Sequence, residues 1–120
     1  MRMWTLYLHE FRRRVDGERF LKVGWTDKWN SLERYSARVS MFYGNSPDQY
    51  DAFEITKLKE IKHRDMNTIK ELESAILSDF PKDIQIPEYF SGISEIRHIS
   101  NKQRLLELFE QVEQALTEHQ

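Results

Sequence analysis

The chain has no cysteine, which excludes disulfide bridges and thiolate metal sites and fits a reducing cytoplasm. No apolar run approaches the ~18 residues a membrane helix needs, and the N-terminus lacks the apolar stretch of a secretory signal. There is no internal repeat, low-complexity tract or linker, so residues 1–120 read as one domain. Net charge is also scarce. Lys and Arg number 18 against 20 Asp and Glu, a balance of −2 that does not advertise nucleic-acid binding. These absences predict a soluble, cytoplasmic, single-domain protein.

What is present can build a core. The hydrophobic fraction is 39%, with seven Phe, five Tyr and three Trp, and a chain of this length buries roughly two thirds of its unfolded surface. The charges are unevenly placed. Residues 1–70 hold 14 Lys and Arg against 10 acids, and residues 71–120 hold 4 against 10. A basic N-terminal half with an acidic tail can still present one positive face.

Trp4, Leu6 and Leu8 alternate with Tyr7, His9 and Phe11, the period of a strand. Val15-Asp16-Gly17-Glu18 supplies a hairpin turn, and Leu21, Val23 and Trp25 mark the apolar face of a returning strand. Asn30 stands three residues before Glu33, a capping pair for a helix from Ser31 with Leu32, Tyr35, Val39 and Phe42 on its stripe. Gly44-Asn45-Ser46-Pro47-Asp48 breaks that helix, and residues 52–62 read as a third strand with solvated lysines. Asn67 is placed to cap a helix to about Leu77, striped by Ile69, Leu72 and Ile76. Pro81 and Pro87 bracket an irregular stretch, and Ser100 to Gln103 forms a capping box opening a last helix over about 100–118. The expected fold is α+β, a small three-stranded antiparallel sheet flanked by helices in the order ββαβαα.

A few residues break this pattern. At about 100° per residue, Glu73 falls roughly 40° from Ile69, inside the apolar arc of its helix. A carboxylate there needs a cation partner, a metal ion or a raised pKa, and a structural salt bridge serves as well as a functional site. Tyr7, His9, Lys22 and Gly24 share the other, polar face of the hairpin, either an exposed sheet surface or a site. The missing side chain at Gly24 lets a ligand or another backbone approach closely. Arg34 and Arg38 lie one turn apart beside the first helix's stripe, where arginines often snorkel. Arg12-Arg13-Arg14 at the hairpin tip could grip phosphates or keep a loop soluble.

In this order the residues resemble the GIY-YIG nuclease superfamily. Thr5-Leu6-Tyr7 stands where that family has Gly-Ile-Tyr, and Lys22-Val23-Gly24, followed by Thr26, stands where it has Tyr-Ile-Gly. Arg34 in Leu-Glu-Arg-Tyr, Glu73 in Leu-Glu-Ser-Ala and Glu88-Tyr89-Phe90 continue the likeness to the phage-ORF-type branch, where Lys commonly replaces the second tyrosine. The resemblance spans about residues 4–90, with the last helix as packing. It departs at Thr5, and no asparagine occurs between Glu73 and Asn101, where many members carry one.

The resemblance implies a divalent-metal-dependent DNA endonuclease that hydrolyses phosphodiester bonds at a single site. Glu73 would hold Mg²⁺ or Mn²⁺, Tyr7 would orient or deprotonate the attacking water, and Arg34 would stabilise charge on the phosphate. Lys22 and His9 would assist. DNA contacts would come from Arg12, Arg13, Arg14, Gly24, Thr26 and Arg38. The alternative is a catalytically weak or inactive module of the same kind that binds DNA or a protein, as a regulator or a phage counter-defence protein.

Overall fold

The computed structural model describes residues 2–35, 48–81 and 95–118, and within these all side chains except Arg34, Asp48 and Gln49. Strands β1 (Trp4–Arg13) and β2 (Arg19–Thr26) form the expected hairpin. Its turn depends on Gly17, whose φ of 74° is costly for other residues. The Arg13 N–H donates to Glu18 O at 2.7 Å and closes the turn. A 3-10 helix (Ser31–Tyr35), a short helix α1 (Asp48–Asp51) and strand β3 (Phe53–His63) follow. Helix α2 (Met66–Ser78), strand β4 (Ile96–His98), a 3-10 turn (Ile99–Asn101) and helix α3 (Lys102–Glu118) complete the order. No helix among the described residues is long and apolar enough to cross a membrane.

The architecture is α+β around one antiparallel sheet, as the alternation predicts, but the sheet has four strands in the order β3-β1-β2-β4. The fourth strand pairs Phe20, Leu21 and Lys22 of β2 with His98, Arg97 and Ile96. Three residues are too few for a period to register, so sequence reading passed over it. Two other expectations need correction. The helix expected from Ser31 is a 3-10 helix as far as Tyr35; Asn30 does cap it, accepting from Leu32 N at 3.1 Å. Val39, Phe42 and Arg38 lie outside the described residues, as does Glu88-Tyr89-Phe90. Helix α2 is capped by Asp65 instead of Asn67: its carboxylate accepts from Asn67 N and Thr68 Oγ1, both at 3.0 Å.

Alternation sorts the hairpin into two faces, and both are covered. On the first, Leu6, Leu8, Leu21, Val23 and Ile61 pack with Ile69, Ile76 and Phe80 and with Leu105 and Phe109 of α3. Arg97, facing this layer, ties β4 to α2 by donating to Leu77 O at 2.9 Å. On the second face, Phe11, Phe20, Tyr50, Phe53 and Ile96 form another cluster, with Tyr35 against it. The second face was read as polar and open to solvent as one possibility; it is buried. The chain beyond β2 crosses back over it and lays the Ser31–Tyr35 segment on His9.

One irregularity in β3 matters for the site. Tyr7 pairs with Glu60 and His9 with Lys57, so one residue too many lies between Glu60 and Lys57. This bulge turns Glu60 and Lys57 to the same face as Tyr7 and His9, despite a spacing of three that would otherwise separate them.

Candidate active site

The hairpin register sets the geometry. Tyr7 pairs with Gly24 and His9 with Lys22, so all four lie on one face at adjacent positions. Tyr7, His9 and Lys22 are nearly inaccessible, at 1%, 0% and 2% exposure. The Tyr7 and His9 rings stack with centroids 4.2 Å apart. Tyr7 leans across Gly24, and a β-carbon there would meet its hydroxyl at 2.4 Å. The space at Gly24, expected for a ligand or another backbone, is taken by the Tyr7 side chain.

Lys22 places a buried ammonium beside two aromatic rings, 5.7 Å from the Tyr7 centroid and 5.1 Å from that of Tyr35. Its Nζ lies 3.7 Å from Glu95 Oε2. Attraction to the two ring faces and to the carboxylate offsets part of the cost of burying the cation.

Tyr7, Lys22 and Glu95 line a pocket of about 400 Å³ with Arg2, Trp4, Trp25, Thr26, Asp27 and Met66. The pocket opens beside the part of β2 that β4 does not pair with. Among the described residues its arginine is Arg2, which holds Asp27 at 2.9 Å and lies over the Trp4 ring.

Glu73 belongs to the same electrostatic cluster. It is half-buried on α2, and its Oε2 is shielded from solvent with no hydrogen-bond partner among the described residues. Burial, and after it the negative charge of Glu95, raises its pKa from 4.5 to about 7, against opposing pulls from Lys22 and Lys70. Among the described residues Glu73 forms no ion pair or hydrogen bond through Oε2. Glu73 and Glu95 are the acidic groups of this cluster, and Glu95 is already paired with Lys22. No group of three or more His, Asp or Glu that could hold a metal ion occurs among the described residues.

His9 is held neutral. Burial first, then the charges of Lys22 and Lys57, lower its pKa from 6.5 to about 3. Its Nδ1 lies 2.7 Å from Tyr35 Oη and its Nε2 2.7 Å from Ser31 Oγ. Burial and the neighbouring Tyr7 raise the Tyr35 pKa well above its usual value.

The remaining sequence candidates are placed as follows. Thr26 lines the pocket. Arg34 lies in the 3-10 helix, but its side chain is not described, and Arg38 falls outside the described residues. Arg12, Arg13 and Arg14 sit at the hairpin tip, about 17 Å or more along the strand from Tyr7. There they are engaged locally: Arg12 and Arg14 with Glu54, Arg13 with Asp16.

Sequence reading missed Glu95, Tyr35 as a polar participant, Ser31, Glu60 and Arg2. Glu95 follows a stretch without periodicity, and Arg2 precedes the first strand. Neither carries a local signal. The Ser31 and Tyr35 roles depend on which surface their segment lies against.

No protein-family model matches the chain, and searches of curated proteins and of solved structures return no match.

Proposed function

We propose that the protein is a GIY-YIG-type, divalent-metal-dependent endonuclease that hydrolyses DNA phosphodiester bonds at the Tyr7–Lys22–Glu73 site. The observation that supports this most is convergence. A buried tyrosine and a buried lysine line a pocket with Glu95, and the half-buried Glu73, whose Oε2 has no hydrogen-bond partner among the described residues, lies within the field of Lys22 and Glu95. A hydrophobic core alone has no use for that set, and burying it is costly.

Hydrolysis needs an oriented water, neutralisation of charge on the phosphoryl oxygens and protonation of the leaving oxygen. The Tyr7 oxygen accepts a hydrogen bond from the water and orients it for attack, and the water's proton leaves to solvent in the pocket. The Lys22 ammonium, 5.7 Å from the Tyr7 ring centroid, adds positive charge beside the pocket. Glu73, with Glu95, would hold Mg²⁺ or Mn²⁺, which when bound would supply Lewis-acid stabilisation of charge on the phosphate. Arg34, by the resemblance, and Arg2, from its place in the pocket, add positive charge toward the phosphate.

Incubation of supercoiled plasmid with the protein and Mg²⁺ or Mn²⁺ tests this directly. Nicked circles are expected from the natural protein, and none from Tyr7→Phe or Glu73→Ala at retained fold. Nicking that persists at the natural rate in Glu73→Ala would remove the metal-ligand role. A mobility shift of DNA without product would leave a non-cleaving binder.

A further inference from the structure

The pocket beside Tyr7 extends beyond the residues given to hydrolysis. Trp4 and Trp25 line its other end, on the opposite face of the hairpin from Tyr7 and Thr26. Tyr7 reaches the pocket by leaning over Gly24, and so across β2. β4 pairs with β2 only at Phe20, Leu21 and Lys22. Beyond Lys22 no described strand pairs with the outer edge of β2, and the pocket wraps that edge from one face to the other.

The lining restricts what can sit there. The two indoles meet edge to face, 5.8 Å between centroids at 67°, and form an angled apolar wall with Met66. Each packs part of its surface on the core and gives part to the pocket. Their faces carry the protein's own cations: Arg2 lies 4.6 Å from the Trp4 ring and Lys70 Nζ 5.9 Å from that of Trp25. A cationic ligand would have to displace them. The acids of the lining are likewise engaged, Asp27 by Arg2 at 2.9 Å and Glu95 by Lys22 at 3.7 Å. With these charges paired among themselves, the indole end suits a flat, uncharged ring with polar edges. A nucleobase is such a ring, and the volume of about 400 Å³ lies within the range of small-ligand sites, about 300–1,000 Å³.

We propose that the pocket holds one unpaired nucleotide of single-stranded DNA, with its base on the Trp4–Trp25 wall and its phosphate at Tyr7 and Lys22. The nucleotide turns round the strand edge, base on one face and phosphate on the other. The Arg2 side chain is 66% exposed and swings off the Trp4 ring, so that the base stacks between indole and guanidinium. A base in duplex DNA is stacked and paired, and cannot enter without being turned out of the helix. The placement of the phosphate rests on the nuclease reading above, whereas that of the base does not.

Tryptophan fluorescence of the full chain, titrated without divalent ions so that nothing is cut, tests the base end. A single-stranded oligonucleotide is expected to quench it and to bind about tenfold or more tightly than the same strand in a duplex. Trp4→Leu is expected to weaken the single strand about tenfold, the loss of one stacking partner. Trp29→Leu, at an exposed indole outside the pocket lining, should leave binding unchanged. Because Trp4 packs on the core, a second measurement uses the natural protein. Irradiation with a single strand carrying iododeoxyuridine should attach it to Trp4 or Trp25, located by mass spectrometry of the peptides. Equal affinity for strand and duplex, unchanged binding in folded Trp4→Leu, or attachment at Trp29 or nowhere would overturn the proposal. Deoxythymidine monophosphate binding as tightly as the strand would also overturn it, in favour of a free nucleotide. Preference for the single strand without plasmid nicking would support the base end while rejecting hydrolysis. Nicking without that preference would leave hydrolysis standing and overturn the nucleotide pocket.

Discussion

The Tyr7 hydroxyl occupies the space a β-carbon would fill at Gly24, its cross-strand partner: the hypothetical atom lies 2.4 Å from Oη and 2.6 Å from Cζ. The glycine therefore fixes where the phenol can go. Gly24→Ala is expected to push the Tyr7 ring from its stack on His9, destabilising the fold by about 1–3 kcal/mol as overpacking does. Plasmid nicking should fall with it. In a Tyr7→Ala background the same substitution should cost far less, because the clashing ring is gone. Denaturation of the four proteins of this double-mutant cycle measures the coupling; additive effects would show that the ring yields freely.

Glu73 gives a pH dependence of definite sign. Its folded pKa of about 7 exceeds the ordinary 4.5, so the folded chain favours the protonated form. The stability this confers is fully present below 4.5 and is lost as pH rises through about 7. Without divalent ions, Glu73→Gln should raise Tm above pH 7 and leave it unchanged below 4.5. Added Mg²⁺ or Mn²⁺ should raise the Tm of the natural protein above pH 7 but not that of Glu73→Gln. Equal metal-induced shifts in both proteins would place the ion elsewhere.

His9 has the opposite dependence. Its folded pKa lies near 3, below the ordinary 6.5. The unfolded chain therefore takes up the proton first, and stability present above 6.5 is lost as pH falls toward about 3. The loss should be on the order of a few kcal/mol. Urea denaturation across that interval should show a slope in the natural protein that His9→Gln reduces. A flat profile in the natural protein would mean that the ring charges in place.

The arginines separate into two groups. At the hairpin tip, Arg12 and Arg14 share the exposed Glu54 carboxylate at 3.7 and 3.3 Å, and such pairs contribute about 0–1 kcal/mol. Arg12→Ala and Arg14→Ala should barely alter Tm or cleavage. Arg2→Ala, in the pocket, should lower cleavage about tenfold or more, the loss of one contact to developing charge. A larger loss at the tip than at Arg2 would show that DNA engages the hairpin end.

The local grammar of the chain was readable. Asp16-Gly17 announced the turn, alternation assigned Leu6, Leu8, Leu21 and Val23 to one face, and the spacing of Leu105, Phe109 and Val112 announced the last helix. Helical geometry also singled out Glu73, because period alone shows a carboxylate within an apolar arc. These features depend on neighbours within a turn or two of chain, and the 2.0 and 3.6 periods carry them.

What covers each face is not a local property. Whether Tyr7, His9 and Lys22 meet water or protein depends on where the segment after β2 travels, and it returns over them. The bulge in β3 brings Glu60 and Lys57 to one side through pairing with a strand more than forty residues earlier in the chain. Glu95 joins Lys22 because β4 docks on β2. The sequence alone determined the hairpin, helices α2 and α3 and the one misplaced acid. The tertiary structure decided which charges share the site, because charges distant along the chain become neighbours only when strand register and chain crossings are set.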